Sequence, residues 1–192
     1  MPPSPVEPPA RRTPRSTRRR LLSVAVVCSL SWIGIGIAFG NLDEDTVKAG
    51  FLYNFAQFSE WPKSFSSTDP FTLCVEDGSL SPSVVRGLAE EEINGNRLSS
   101  KIVPSPVRQG DILACDLLFV GDSAPNAETI VGWARLSPTL LVSDREGFAR
   151  QGGHIELFRA NRNLRFRVNL RTLQTSGVTI SSKVLRLAEI VQ

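Results

Sequence analysis

The chain has 192 residues and a formal net charge of +3, which allows one domain of ordinary size plus extra segments. The charge is unevenly placed: residues 1–40 hold six arginines against the single acid Glu7, leaving 16 basic and 18 acidic side chains in residues 41–192. The basic excess therefore belongs to the first forty residues, and the remainder carries no global signature of a nucleic-acid-binding domain.

Residues 1–20 are rich in proline and arginine, the composition of a disordered leader. Residues 21–39 follow as a charge-free apolar run, and a basic head before an apolar run is the grammar of an export signal. Small residues at 36–40 offer cleavage points. The run is also long enough to span a bilayer, so an uncleaved N-terminal anchor is the alternative. Thr17 to Leu22 is similar to a twin-arginine signal, although the arginines also suit an ordinary positive head. Cys28 follows Val27 and is a poor lipid-attachment residue. Either export route places residues 41–192, read as a single domain, outside the cytoplasm.

The first predicted element of that domain is a helix. Val47, Phe51, Phe55 and Phe58 recur at spacings of four, four and three, an amphipathic apolar stripe. Asp43, Glu44 and Asp45 stand before it, where acids suit a helix N-terminus. Trp61-Pro62 ends it, because proline pushes the preceding residue out of helical geometry. Tyr53 and Trp61 lie off the stripe and are candidates for a binding surface; the plainer reading is that the helix only supplies core.

Residues 71–75 read as a buried strand closed by Glu76-Asp77-Gly78, and Ser81-Pro82 starts a helix to about residue 92. Asn94-Gly95 is a turn, residues 98–103 a second strand, and residues 117–120 a third. Pro125 suits the first turn of a helix to about residue 136, and residues 139–142 form a fourth strand. Strands alternating with helices predict an α/β fold: a mostly parallel sheet flanked by helices on both faces, a three-layer sandwich. Residues 154–159 and 164–169 alternate polar and apolar, which predicts a C-terminal antiparallel hairpin with one solvated face. Ser181 or Ser182 caps a last helix through residue 191.

Cys74 and Cys115 are the only cysteines beyond the leader. Outside the cytoplasm an isolated pair implies a disulfide, worth roughly 4 kcal/mol in the chain-entropy model for such a loop; two buried thiols are the alternative. His154 is the only histidine, is read as a partly exposed strand residue, and cannot build a zinc set. No G-x-S-x-G elbow is present. Glu76, Asp77, Asp122 and Ser143 follow successive strands, as in a phospho-receiver. However, the lysines are Lys48, Lys63, Lys101 and Lys183, none of them at the end of a late strand, so these residues are read as strand ends and solvated turns. No catalytic residue, metal site or cofactor is expected. Arg159, Arg162, Arg165, Arg167 and Arg171 form the one dense basic cluster. Arg165 and Arg167 share a sheet face, and Arg159 is expected to join them across the hairpin. Such a face is either simply solvated or recognises phosphate, carboxylate or an acidic partner surface.

Several motifs resemble one family. Ala49, Phe51 to Phe55, Phe58, Trp61 and Pro62 are similar to the opening helix of the YfiR family. Ser143-Asp144, Gly147-Phe148, Gly152-Gly153, Ile155, Arg165-Phe166, Asn169, Ser182, Leu185 and Leu187-Ala188 resemble its later motifs in order. The resemblance covers about residues 44–191. It implies a non-enzymatic periplasmic repressor that binds the periplasmic sensor domain of an inner-membrane diguanylate cyclase, acts as a homodimer, and carries a disulfide linked to redox regulation. Some relatives have a second cysteine pair near the G-F…G-G loop; residues 148–153 have none. The alternative is a periplasmic small-molecule-sensing module coupled to a sensor kinase, its pocket bounded by the aromatic helix and the arginine hairpin.

Overall fold

The computed structural model describes residues 43–62, 70–135 and 137–192, so the expected leader, export signal and anchor lie outside the described residues. The first helix, α1, spans Glu44–Gln57 with Glu44 and Asp45 in its first turn. Its buried face is Lys48, Ala49, Leu52, Phe55 and Ala56, rotated from the expected aromatic stripe. Phe58 lies beyond the helix and is 40% exposed. Phe51 instead packs against the rings of Phe55 and Phe166, with centroids 5.9 and 5.8 Å away. The helix also ends four residues before Trp61, because the chain turns at Phe58 into a short strand, β1 (Ser59–Glu60).

Strand β2 (Phe71–Glu76) is followed by α2 (Pro82–Leu88), the two-residue β3 (Glu92–Ile93) and β4 (Asn96–Val103). Asn94 and Gly95 make the β3–β4 turn with φ of 50° and 83°, a region that asparagine and glycine tolerate. Next come α3 (Gln109–Leu113), β5 (Leu117–Val120), α4 (Ala127–Ala134) and β6 (Leu140–Ser143). The hairpin is β7 (Ile155–Ala160) and β8 (Asn163–Asn169), and α5 (Leu170–Ser176), β9 (Thr179–Ile180), α6 (Ser182–Leu185) and β10 (Glu189–Val191) complete the chain.

Eight strands form one sheet in the order β10-β8-β7-β6-β5-β2-β4-β3, while β1 and β9 pair separately. Pairing is parallel from β4 through β2, β5 and β6 to β7, and between β8 and β10. It is antiparallel for β7–β8 and β3–β4. The fold is thus a mixed, curled eight-stranded sheet with few helices, and the expected mostly parallel three-layer sandwich is corrected. The physical reason lies at the margins. The hairpin is stitched into the sheet rather than appended to it, and antiparallel pairs flank the middle. The expected last helix stops at Leu185, after which Glu189–Val191 pairs with β8 as an edge strand.

Apolar side chains bury on both sides of this sheet. Phe71, Leu73, Leu117, Leu140, Ile155 and Phe166 meet α1 and α2 in one cluster, and Leu118, Val120 and Leu141 meet α3 and α4 in another. In the second cluster the expected disulfide is present: Cys74 of β2 bonds Cys115, 41 residues on, with Cα atoms 5.8 Å apart and both residues buried. It ties the central strand to the α3–β5 connection.

Candidate functional site

The loop from β6 to β7 is held by buried polar groups as well as by its own apolar content. Phe148 is 1% exposed and fills its interior. A Cβ on Gly153 would lie 2.2 Å from the Phe148 ring, so the chain reverses there only with glycine. Gly147 and Gly152 adopt φ of 78° and 105°, backbone that side chains rarely enter. Glu156, fully buried on β7, accepts a hydrogen bond from the Ala149 amide at 3.1 Å. Asn169, at the end of β8, donates from Nδ2 to the Ala149 carbonyl at 2.7 Å, and its Oδ1 caps α5 by accepting from Thr172 N at 3.1 Å. The Thr172 hydroxyl donates to the Gly153 carbonyl at 3.1 Å.

His154 closes the same loop. It is 3% exposed, not partly exposed as expected, and its Nδ1 accepts from the Leu141 amide at 3.0 Å. Burial pushes its pKa down to about 4. A ring nitrogen that accepts carries no proton, so geometry and burial both keep this imidazole neutral.

The arginine cluster divides. Arg167 donates to Glu156 at 2.8 Å and to Glu189 of β10 at 2.9 Å, with its guanidinium carbon 3.6 Å from the Phe158 ring centroid. Burial would lower its pKa, and the two carboxylates outweigh that and raise it. Arg167 is therefore a joint between the loop, the hairpin and the edge strand, not a free recognition group. Arg165 is exposed on the same face of β8. Arg159 does not join them. It pairs with Leu164 across the hairpin, one step out of phase with Arg165 and Arg167. Its side chain reaches Glu44 of α1, on the opposite face. From there an ion-pair chain continues through Glu44–Lys48 at 3.2 Å and Lys48–Asp144 at 2.6 Å, so α1 is tied to the start of the same loop. Arg159 is the leading cause of the lowered Glu44 pKa. Lys48 is pulled down by burial, but Asp144 and Glu44 raise its pKa overall.

Tyr53 and Trp61 are also separated. Tyr53 lines a groove of about 350 Å³ between α1 and α2, with Gly50, Val84, Gly87 and Glu91 among its walls, and its hydroxyl donates to the Glu92 carbonyl at 3.2 Å. No residue of the arginine hairpin lines that groove, so the aromatic helix and the hairpin do not bound it together. Trp61 is half-buried; its indole N–H donates to the Asp116 carbonyl at 3.2 Å and its ring meets Phe71 edge-on at 5.0 Å. Trp61 thus fastens the end of the α1–β1 segment to the sheet.

Of the strand-end acids, Asp77 and Asp122 are exposed as expected, but Glu76 is 2% exposed. Glu76 accepts from the Ser105 hydroxyl at 2.7 Å and the Gly121 amide at 3.1 Å, so it fixes two loops instead of solvating a turn. Among the described residues no group of three or more His, Cys, Asp or Glu could hold a metal ion, and no helix is long and apolar enough to cross a membrane.

A family model for YfiR/HmsC-like proteins matches residues 45–189. The chain belongs to the YfiR/HmsC-like family. The match takes in α1, the β6–β7 loop, the hairpin and α6, the segments that carry the sequence motifs. In this YfiR/HmsC-like chain those motifs have a structural meaning: Gly147, Phe148, Gly153 and Asn169 build and hold one loop. No curated protein matches the chain. Among solved structures it is similar to a conserved domain protein of Vibrio cholerae O1 biovar El Tor, at 10% identity and a TM-score of 0.48. That alignment covers 78% of this chain and 60% of the other, so the chain spans less than two thirds of that protein's length.

The residue that sequence reasoning missed is Glu156. A signal for it existed: once the turn is set at residues 161–162, hairpin register places Glu156 directly opposite Arg167. An acid facing an arginine across an antiparallel pair is a favourable cross-strand combination.

Proposed function

We propose that the chain is a non-enzymatic periplasmic regulatory protein of the diguanylate cyclase pathway, and that it represses an inner-membrane diguanylate cyclase by binding its periplasmic sensor domain. The observation that carries this reading is the family match over residues 45–189. The disulfide supports an oxidising compartment. Repression requires differential affinity: the regulator holds the inactive cyclase more tightly than the active one, by the same factor that it shifts the cyclase equilibrium. Of the two arginines on that face of β8, Arg165 is the one we place against an acidic partner surface, since it is exposed while Arg167 is spent internally. We take the acting form to be a homodimer, which sedimentation of the purified chain tests.

The experiment is co-purification of the tagged full chain from its native membrane fraction, with Arg165→Glu alongside. Recovery of a transmembrane diguanylate cyclase by the parent chain, weakened in the variant, supports both the function and the face. Recovery of no membrane cyclase overturns the function. The groove beside Tyr53 favours a second reading, a ligand-sensing module coupled to a sensor kinase; recovery of a sensor kinase instead of a cyclase would select it.

A further inference from the structure

A second groove, of about 400 Å³, opens where the C-terminal end of α1 meets the β1–β9 ribbon, lined by Gln57, Phe58, Ser59, Glu60, Asn94 and residues 179–181. Its volume is within the usual range of small-ligand sites, roughly 300–1,000 Å³. Its chemistry is unlike that of the groove beside Tyr53. Phe58 is the aromatic member and keeps 40% of its surface exposed. Around it stand two carboxamides, a carboxylate and the hydroxyls of Ser59, Thr179 and Ser181.

Four observations narrow the ligand. Gln57 and Asn94 hold each other across the groove wall: Gln57 Nε2 donates to Asn94 Oδ1 at 3.2 Å, and Asn94 N donates to Gln57 Oε1 at 3.3 Å. This arrangement fixes both amides and leaves Asn94 Nδ2 without a partner among the described residues. Ser59 is 2% exposed and its Oγ is buried with no hydrogen-bond partner, a condition that ordinarily costs free energy. Glu60 is the only charged side chain among the described residues of the lining, so these walls present a like charge and no cation to an anion. Finally, Phe58 lies outside the helix stripe and leaves an apolar ring open to solvent, although a buried position on α1 was one turn away.

A ligand suited to these walls must both donate and accept hydrogen bonds, carry no negative charge and present an apolar face to an aromatic ring. Sugars do all three: each hydroxyl donates and accepts, as the amide and hydroxyl lining requires, and the C–H face of a pyranose packs on the electron-rich face of an aromatic side chain. We propose that this groove is a binding site for neutral carbohydrate, with Phe58 as the stacking platform and Asn94, Glu60 and Thr179 as hydrogen-bonding partners. The site is separate from the loop and hairpin, and the proposal does not rest on the cyclase reading.

The test is saturation-transfer NMR on the full chain with three probes: maltotriose, cellotriose and the trimer of N-acetylglucosamine, each at about 10 mM, a concentration that reveals millimolar binding. Phe58→Ala removes the platform. Its backbone role at the helix end is kept, because Phe58 caps α1 only through its amide. Thr179→Val removes one hydroxyl at nearly constant shape. The proposal expects transfer to ring protons of at least one trimer, lost or weakened about tenfold in Phe58→Ala and reduced in Thr179→Val. It is overturned if none of the three trimers receives saturation. It is equally overturned if a trimer binds Phe58→Ala as well as the parent chain, which places the sugar elsewhere.

Discussion

Arg167→Met keeps an unbranched side chain over the Phe158 ring and deletes the guanidinium. Three interactions are lost: the pair with Glu156, the pair with Glu189, and the stacked charge on Phe158. They differ greatly in weight. The Glu189 side chain is 51% exposed, so that pair contributes at most about 1 kcal/mol. The stacked charge adds about 1 kcal/mol. The Glu156 side chain has no exposure, and leaving its carboxylate buried without a cation costs about 3–5 kcal/mol. A domain of this size has roughly 5–15 kcal/mol in total, so the variant should lose a large share of its stability. Urea unfolding followed by circular dichroism reads this as a fall in midpoint at constant slope. The partner variant Glu156→Gln removes the charge that needs Arg167. In the double variant much of the loss should return, as a coupling of about 1–3 kcal/mol. If Arg167→Met loses less than about 1 kcal/mol, or if the two losses simply add, Arg167 is not a joint of the fold and its assignment to recognition returns.

Other outcomes follow from the same structure. Burial lowers the His154 pKa from 6.5 to about 4, so its share of stability is complete above pH 6.5, and falls away as pH drops towards 4 by about 3 kcal/mol. Unfolding curves for the parent chain and His154→Leu should therefore converge across that window, and parallel curves would refute the neutral, buried assignment. Gly153→Ala places a methyl group against the Phe148 ring and should cost about 1–3 kcal/mol; Gly153→Ala with Phe148→Leu should recover part of it. Replacing Cys74 and Cys115 together by alanine should cost about 4 kcal/mol for a closed loop of this length, and an unchanged melting temperature would show that the bond does not constrain the unfolded chain.

The elements most legible in the sequence were the central ones. Residues 117–120 read as a strand because their apolar run has no other use, and Leu117–Val120 is that strand. The Asn94-Gly95 turn and the 154–169 hairpin were equally plain, since local chemistry alone decides a turn and a period of two. Errors arose where tertiary context overrides pattern. The aromatic spacing of α1 named Phe51 and Phe58, but small and aliphatic residues, Ala49, Leu52 and Ala56, fit closer to the sheet. The 182–191 segment has helical spacing, yet its last three residues meet an unpaired edge of β8 and extend. In the hairpin, alternation put Glu156 and Arg167 on a solvated face. The loop carrying Phe148 and Ala149 folds over Glu156, and no local pattern contains that cover. The arginines show the same limit: spacing places Arg165 and Arg167 on one face, but only the cross-strand register reveals that Arg159 is on the other.

The most direct test of the regulatory reading is binding between the full chain and the periplasmic domain of the membrane cyclase with which it co-purifies, measured by titration calorimetry alongside cyclase activity in the same membranes. The account predicts saturable binding, with cyclic di-GMP synthesis falling as the chain is added and recovering when Arg165→Glu replaces it. Binding that leaves synthesis unchanged at saturation, or synthesis that falls without binding, would contradict it.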